Sequence, residues 1–491
     1  MHDVIQSTNS PAAADDNARD RHLFGSGPKR MLALDGGGVR GAISVAFLER
    51  IEEILAEENP KAASAGSAAP SPQDPPQSTA IPGTSQTEPH TAIRLGDYFD
   101  LIGGTSTGSL IATALTLGYT IDQVKDFYLT RASRVFKKPF WRLPGLQSKF
   151  DARALIDEIT MIVKDRRLDS PDLITGLAII SKRMDTGSPW ILTNNKKAPY
   201  WEDGLPTPQS RGHIGNRHYK LSTLVRASTA APHYFDPEII AITDDAPRDL
   251  LGEVKANLSG LPLLSLALSK VRAIYWATYG LFSKSGPNAD THGLFVDGGV
   301  TPHNNPVIAL VMAATFKRLG ICWPLGTENL TVISIGTGSY RTKVTLGELG
   351  WAGPVRLAIG ALLSVMGDTQ NQALAQMQWL GECMTCWTIN SEVRTLCGDV
   401  PPGGKWFRFG RYDLRLEKAW LKQNLGLTLS DKQITRLQGM DDPATIPQLY
   451  EIAREAAKKQ VKRDHFFPDD GAAPFVCCGG SNPDCPRFIG P

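Results

Sequence analysis

The sequence predicts an α/β fold: a mostly parallel central sheet covered by helices on both faces, three layers (αβα) in all, with a largely helical C-terminal extension. Three observations predict it. Short apolar runs end in glycine-rich turns near residues 31–38, 98–104, 294–299 and 330–338. Segments with helical apolar spacing follow them, and strands alternating with helices imply βαβ units and a parallel sheet. After about residue 340 the pattern turns mainly helical.

The elements follow in order. Residues 31–34 (MLAL) read as a buried strand ending at Gly36, Gly37 and Gly38. Ile43, Phe47, Ile51 and Ile54 recur at helical spacing, with charged residues between them. Residues 98–102 read as the second strand, and 109–117, 121–133 and 152–163 as helices. Residues 177–181, 190–193, 294–296 and 330–335 read as strands, with a helix over 306–318. A strand at 406–409 and a helix over 443–463 are expected in the extension. Residues 1–28 read as a disordered leader, and 60–92, rich in Ala, Ser, Pro, Gln and Thr, as a disordered insertion. The expected divisions are thus 1–28, a domain over 29–340 carrying the 60–92 insertion, and an extension over 341–491 packed upon it.

Composition narrows the function. The 491 residues are 42% hydrophobic and 21% charged, with a formal net charge of +2. That suits a large core and gives no case for nucleic acid binding. Residues 261–282, the longest apolar stretch, are interrupted by Lys270 and Arg272, so no membrane span is expected. No signal-peptide h-region stands near the N-terminus, and the expected location is cytoplasmic, with peripheral membrane contact at most. Seven cysteines are too sparse for a disulfide scaffold. Cys383 and Cys386, with Cys477, Cys478 and Cys485, could be read as a split zinc site, but the second group lacks ligand spacing, and scattered thiols are the better reading. No metal or cofactor is expected.

Three motifs carry chemistry. Residues 104–108, GTSTG, match G-x-S-x-G between a strand and a helix. In that setting the pattern is a nucleophile elbow, which lifts the Ser106 hydroxyl above the sheet at a helix N-terminus. Residues 35–41, DGGGVRG, let consecutive backbone N–H groups converge as an anion nest, with Arg40 adding charge or anchoring the loop. Gly36, Gly38 and Gly41 also satisfy a dinucleotide fingerprint, but the following strand ends in Gly-Thr-Ser with no acidic residue for a ribose. Residues 297–299, DGG, put Asp297 at a strand's C-terminal end, where open α/β sheets place their sites. A buried carboxylate within reach of a serine can act as its base, though Asp-Gly is also a favoured turn.

Together these motifs resemble the patatin-like phospholipase family, which carries D-G-G-G-x-R-G, G-x-S-x-G and D-G-G or D-G-A in that order. Residues 226–232 (RASTAAP) and 304–306 (NNP) add to the likeness, which spans roughly 29–340. The resemblance implies a patatin-like fold and lipid acyl hydrolysis of the phospholipase A type. It also implies a Ser-Asp dyad of Ser106 and Asp297, and an oxyanion hole from Gly36, Gly37, Gly38, Arg40 and Thr107. Substrates would be phospholipids or related acyl lipids. A Ser-Asp-His order would instead need one of nine histidines; His303 and His465 follow Asp297 in the chain, but neither sits in a motif. A signal- or partner-activated phospholipase and a small-ester esterase remain as alternatives. Residues 261–282 could be a lid or interfacial helix, or a helix of the core or acyl pocket, and 351–366 carry the same ambiguity. Lys458, Lys459, Lys462 and Arg463 could face anionic lipid or water.

Overall fold

A computed structural model describes residues 17–58, 93–131, 135, 152–207, 212–232, 234–243, 291–341 and 354–468. The insertion, the apolar segment 261–282 and Cys477, Cys478 and Cys485 lie outside them. The described strands are β1 (Lys29–Leu34), β2 (Leu101–Thr105), β3 (Gly176–Arg183), β4 (Ser188–Thr193), β5 (Glu238–Ala241), β6 (His292–Asp297), β7 (Leu330–Ile335), β8 (Gly381–Cys383) and β9 (Phe407–Tyr412). They form one sheet in the order β5-β6-β3-β2-β1-β7-β9-β8, with β4 paired to β3. The run from β3 to β8 is parallel, whereas β4, β5 and β6 join through antiparallel pairs.

The helices are α1 (Ala18–Phe24), α2 (Gly41–Glu58), α3 (Leu95–Tyr98), α4 (Thr107–Thr116), α5 (Ile121–Asp126), α6 (Ala152–Val163), α7 (Leu221–Ser228), α8 (Val307–Thr315), α9 (Pro354–Leu380), α10 (Lys418–Leu425), α11 (Asp431–Gln438) and α12 (Ile446–Gln460). The central strand β1 is buried almost throughout, as a parallel strand covered on both faces must be. Helix α4 is buried from Gly108 to Thr116, which suits a helix that is apolar nearly all round. Helix α2 buries Ile43, Phe47, Ile51 and Ile54, the spacing seen in the sequence, and α12 packs upon it with Leu449, Ala453, Ala456 and Ala457 buried.

Several expectations need correction. The end of the expected disordered leader is a helix: Asn17 Oδ1 caps α1 by accepting from Asp20 N, and Leu23 is fully buried. Trp323 Nε1 donates to the Leu23 carbonyl, so this turn is tied to the core. β2 begins three residues later than expected, because Tyr98 closes the short α3 and the strand runs on through Gly103 and Gly104. The extension beyond residue 340 carries the expected strand, β9, and the unforeseen short β8 joins it, so the two widen the sheet beside β7.

Asp297 reaches the rim by an unexpected route. β2 pairs with β3 up to Thr105 and Ile180, and β3 then continues to Arg183. β6 pairs antiparallel with that overhang, Arg183 to Phe295 and Ser181 to Asp297. It therefore descends to the rim and stops there. The edge rule for parallel strands put the carboxylate at the right level for the wrong reason, because an apolar run in a sequence carries no direction.

Candidate active site

Ser106 stands at φ 54°, ψ −126°, between the end of β2 and the first turn of α4. That region suits glycine and costs a serine roughly 1–3 kcal/mol, so the surrounding packing must impose it. The flanking glycines show how. A Cβ on Gly104 would collide with the Gly108 carbonyl, and one on Gly108 with the Leu34 carbonyl. The elbow therefore seats directly on β1. Ser106 N–H donates to Ser228 Oγ (2.9 Å), and that hydroxyl donates to the Ile180 carbonyl (2.5 Å). Ser228 lies in the 226–232 segment, to which sequence reasoning gave no role.

The Ser106 hydroxyl donates to Asp297 Oδ2 at 2.6 Å. Asp297 Oδ1 accepts from Gly299 N–H at 2.6 Å, which fixes the carboxylate plane. The carboxyl is 4% exposed. Burial pushes its pKa from 3.8 up to about 6, against the bonds from Ser106 and Gly299 and the charge of Arg226. A general base is most effective with a pKa near the working pH, and burial moves this carboxyl in that direction.

The glycine loop lies opposite. Gly38 has φ +60°, and a Cβ there would strike the Met440 carbonyl. Tyr128 Oη donates to the Gly38 carbonyl (2.9 Å), Thr337 Oγ1 to that of Gly36 (2.8 Å), and Val39 N–H to that of Met440 (3.0 Å). Tyr128 sits in a π-helical turn, Phe127–Arg131, of the kind that often marks functional sites. Among the described residues, the N–H groups of Gly37, Gly38 and Thr107 have no acceptor.

Two of the expected oxyanion groups are engaged elsewhere. Gly36 N–H donates to the Asn304 carbonyl (3.1 Å). Arg40 donates from Nη1 to the Gly338 carbonyl (2.9 Å) and lies over the Tyr340 ring, so it anchors the loop. Beyond Arg40 a cavity of about 230 Å³ opens, with Asn304, Met366, Gln370, Trp387 and Arg415 among its walls.

The two histidines that follow Asp297 in the chain, His303 and His465, are not brought to the pair. His465 Nδ1 pairs with Tyr412 Oη (2.7 Å), and the ring is buried. His303 is held through its backbone, its carbonyl accepting from Thr105 Oγ1 (2.6 Å), and burial lowers its ring pKa. Among the described residues no histidine ring bonds to Ser106 or Asp297. Nor is there, among them, a group of His, Cys, Asp or Glu that could hold a metal. Cys383 is a free, buried thiol and Cys386 is disulfide-bonded.

The class the fold defines is an α/β protein with a mostly parallel sheet, carrying a strained serine on a strand-to-helix elbow bonded to a buried carboxylate. The chain belongs to the patatin-like phospholipase family, whose family model matches residues 32–311. A cGAMP-activated phospholipase of Escherichia coli (strain TW11681) is 26% identical over 213 residues, 42% of this chain and 48% of that one. Patatin-like protein 1 of Arabidopsis thaliana is 24% identical over 339 residues, 64% of this chain and 59% of that one. A cUMP-AMP-activated phospholipase of Escherichia coli is 25% identical over 211 residues, 43% and 50% of the two chains. This chain spans about half the length of the curated relatives it matches. The solved structure of VipD from Legionella pneumophila aligns at 10% identity over 89% of this chain and 67% of that one, with a TM-score of 0.30.

Proposed function

We propose that this protein is a serine lipid acyl hydrolase of the phospholipase A type, with Ser106 as nucleophile and Asp297 as its acid/base partner. The observation that carries the reading is the 2.6 Å bond from Ser106 Oγ to Asp297 Oδ2, beside a glycine loop whose Gly37 and Gly38 N–H groups have no acceptor among the described residues. Ser106 Oγ attacks the ester carbonyl as its proton passes to Asp297. The carbonyl π pair moves to oxygen, which the N–H groups of Gly37, Gly38 and Thr107 receive. Asp297 returns the proton to the departing lysolipid alkoxide. Water then gives a proton to Asp297, attacks the acyl-enzyme and releases the fatty acid with Ser106 restored. At neutral pH a carboxyl of pKa about 6 is ionised and ready to accept.

Vesicles of phosphatidylcholine test this reading directly. Wild type should release fatty acid, and a fluorophosphonate should label Ser106. Ser106→Ala and Asp297→Asn should each abolish turnover while remaining folded. Turnover of a soluble short-chain ester with none of the vesicle lipid would instead indicate a small-ester esterase. Among the described residues no helix is long and apolar enough to cross a membrane, so the encounter with lipid is proposed as peripheral.

A second reading is favoured by the names of two relatives, cGAMP-activated and cUMP-AMP-activated phospholipases. In it the same site works only after a soluble nucleotide signal binds. Labelling of Ser106 that requires an added cyclic dinucleotide would select that reading over constitutive hydrolysis.

A further inference from the structure

The oxyanion loop is tied to a side chain far outside its own motif. Asp35, its first residue, accepts from Arg411 with both oxygens, Oδ1 from Nη1 at 3.0 Å and Oδ2 from Nη2 at 2.7 Å. Arg411 sits on β9, beyond the residues 32–311 that define the family. We infer that Arg411 is a positioning residue for acyl transfer: its guanidinium fork sets Asp35, and through it the Gly37 and Gly38 N–H groups, at the place where the oxyanion forms. This rests on the serine hydrolase reading above.

The geometry gives the fork little freedom. Nη1 also donates to Ser334 Oγ on β7 (2.7 Å), and Nη2 to Asp413 Oδ2 (2.8 Å). Asp413 Oδ1 in turn accepts from Gly338 N–H (2.8 Å), in the loop whose carbonyl holds Arg40. The Arg411 backbone is pinned as well. Its N–H donates to Thr385 Oγ1 (2.8 Å), and its carbonyl accepts from Trp387 Nε1 (2.8 Å). Asp35 and Arg411 are 1% and 2% exposed, so water competes little for either. A planar guanidinium can bridge both oxygens of one carboxylate while serving two further acceptors. A lysine ammonium is a point charge and cannot span that set.

Two chain directions leave Asp35, back into β1 and forward into Gly36. Gly36 N–H is fixed to the Asn304 carbonyl, in the segment that follows Asp297. The Arg411 fork and the Asn304 carbonyl thus hold two successive residues at the start of the loop, Asp35 and Gly36. A rotation of the Asp35 side chain would pass into the next two peptides, whose N–H direction is what an oxyanion requires.

Arg411→Lys keeps the charge and loses the fork. Its per-site kcat should fall about 100-fold, the usual cost of a misplaced oxyanion donor, with KM within a few-fold of wild type. The rate of phosphonylation by a fluorophosphonate should fall in parallel, because that reaction also places a charged oxygen in the hole. Asp100→Asn is the stability control. Asp100 pairs with His22 at the opposite end of the sheet, so its loss should lower Tm and leave per-site kcat unchanged. If Arg411→Lys fails to fold, the neutral and nearly isosteric Asp35→Asn carries the same test with the same expected loss. Wild-type per-site kcat in the folded variant, or a loss confined to the number of active sites, would overturn the inference. A wild-type protein that neither labels nor hydrolyses would remove the hydrolase reading first, and that outcome is distinct.

Discussion

At the residue scale, the site is held in a state the chain would not otherwise adopt. Ser106 at φ 54° is strained, and glycine is not. Ser106→Gly should therefore be more stable than Ser106→Ala by about 1–3 kcal/mol, read from denaturant midpoints of the two inactive variants. Equal stability would mean that the elbow imposes no strain. Asp297 stores cost in a different form. Its folded pKa of about 6 lies above the ordinary 3.8, so the folded state binds that proton more tightly than the unfolded chain. The carboxyl stabilises the fold only while protonated, fully below about pH 4, and this contribution is lost as pH rises through 6. Asp297→Asn escapes that loss. It should exceed wild type in stability by about 3 kcal/mol at pH 8, and the gap should close as pH falls toward 4. Urea unfolding of both proteins at pH 8 and pH 4.5 checks this, and a pH-independent gap would refute it. In the proposed mechanism the same titration sets the rate: kcat/KM should fall tenfold per pH unit below about 6, because only the ionised carboxylate can accept the serine proton.

At the element scale, the elbow works because α4 is pressed against β1. The Leu34 and Asp35 carbonyls lie where a Gly108 side chain would start, so Gly108→Ala must push the first turn of α4 away from the sheet. Ser106 Oγ would then leave its 2.6 Å bond to Asp297. Displacements near 1 Å can cost about 100-fold in rate, and a loss of that order in kcat with a smaller change in KM is the expected outcome. How much of this was legible follows from sequence distance. Ser106, its bracketing glycines and the 35–41 loop are local patterns with a local physical cause, and they read directly. The pairing of Asp35 with Arg411 joins residues 376 positions apart, and no local signature marks either partner as belonging to the other. The descending course of β6 was illegible for another reason, since apolar spacing fixes a strand but not its sense. Gly36 was over-assigned because a run of glycines does not say which N–H groups the fold will engage.

At the scale of the whole molecule, the motifs suggested a unit ending near residue 340, yet the sheet does not end there. β7 lies between β1 and β9, and its residues Leu330, Val332, Ile333 and Ile335 are buried by neighbours on both sides. A chain stopped after residue 340 would turn β7 into an exposed apolar edge, a ready template for pairing between molecules. It would also strip α12 from the apolar face of α2 and leave Asp35 buried without Arg411. Breaking a buried ion pair by removing one partner costs about 3–5 kcal/mol, against a total stability of roughly 5–15 kcal/mol for a domain. The loss of two strands and a core helix adds to that. A 1–340 chain should therefore aggregate on expression and show no fluorophosphonate labelling, while the full chain elutes as a defined species and labels at Ser106. Size-exclusion chromatography with in-gel labelling reads both properties at once. A 1–340 chain that eluted as a folded monomer and labelled at the wild-type rate would place the catalytic machinery wholly within residues 1–340, and β9 would then be an accessory strand with no part in shaping the oxyanion loop.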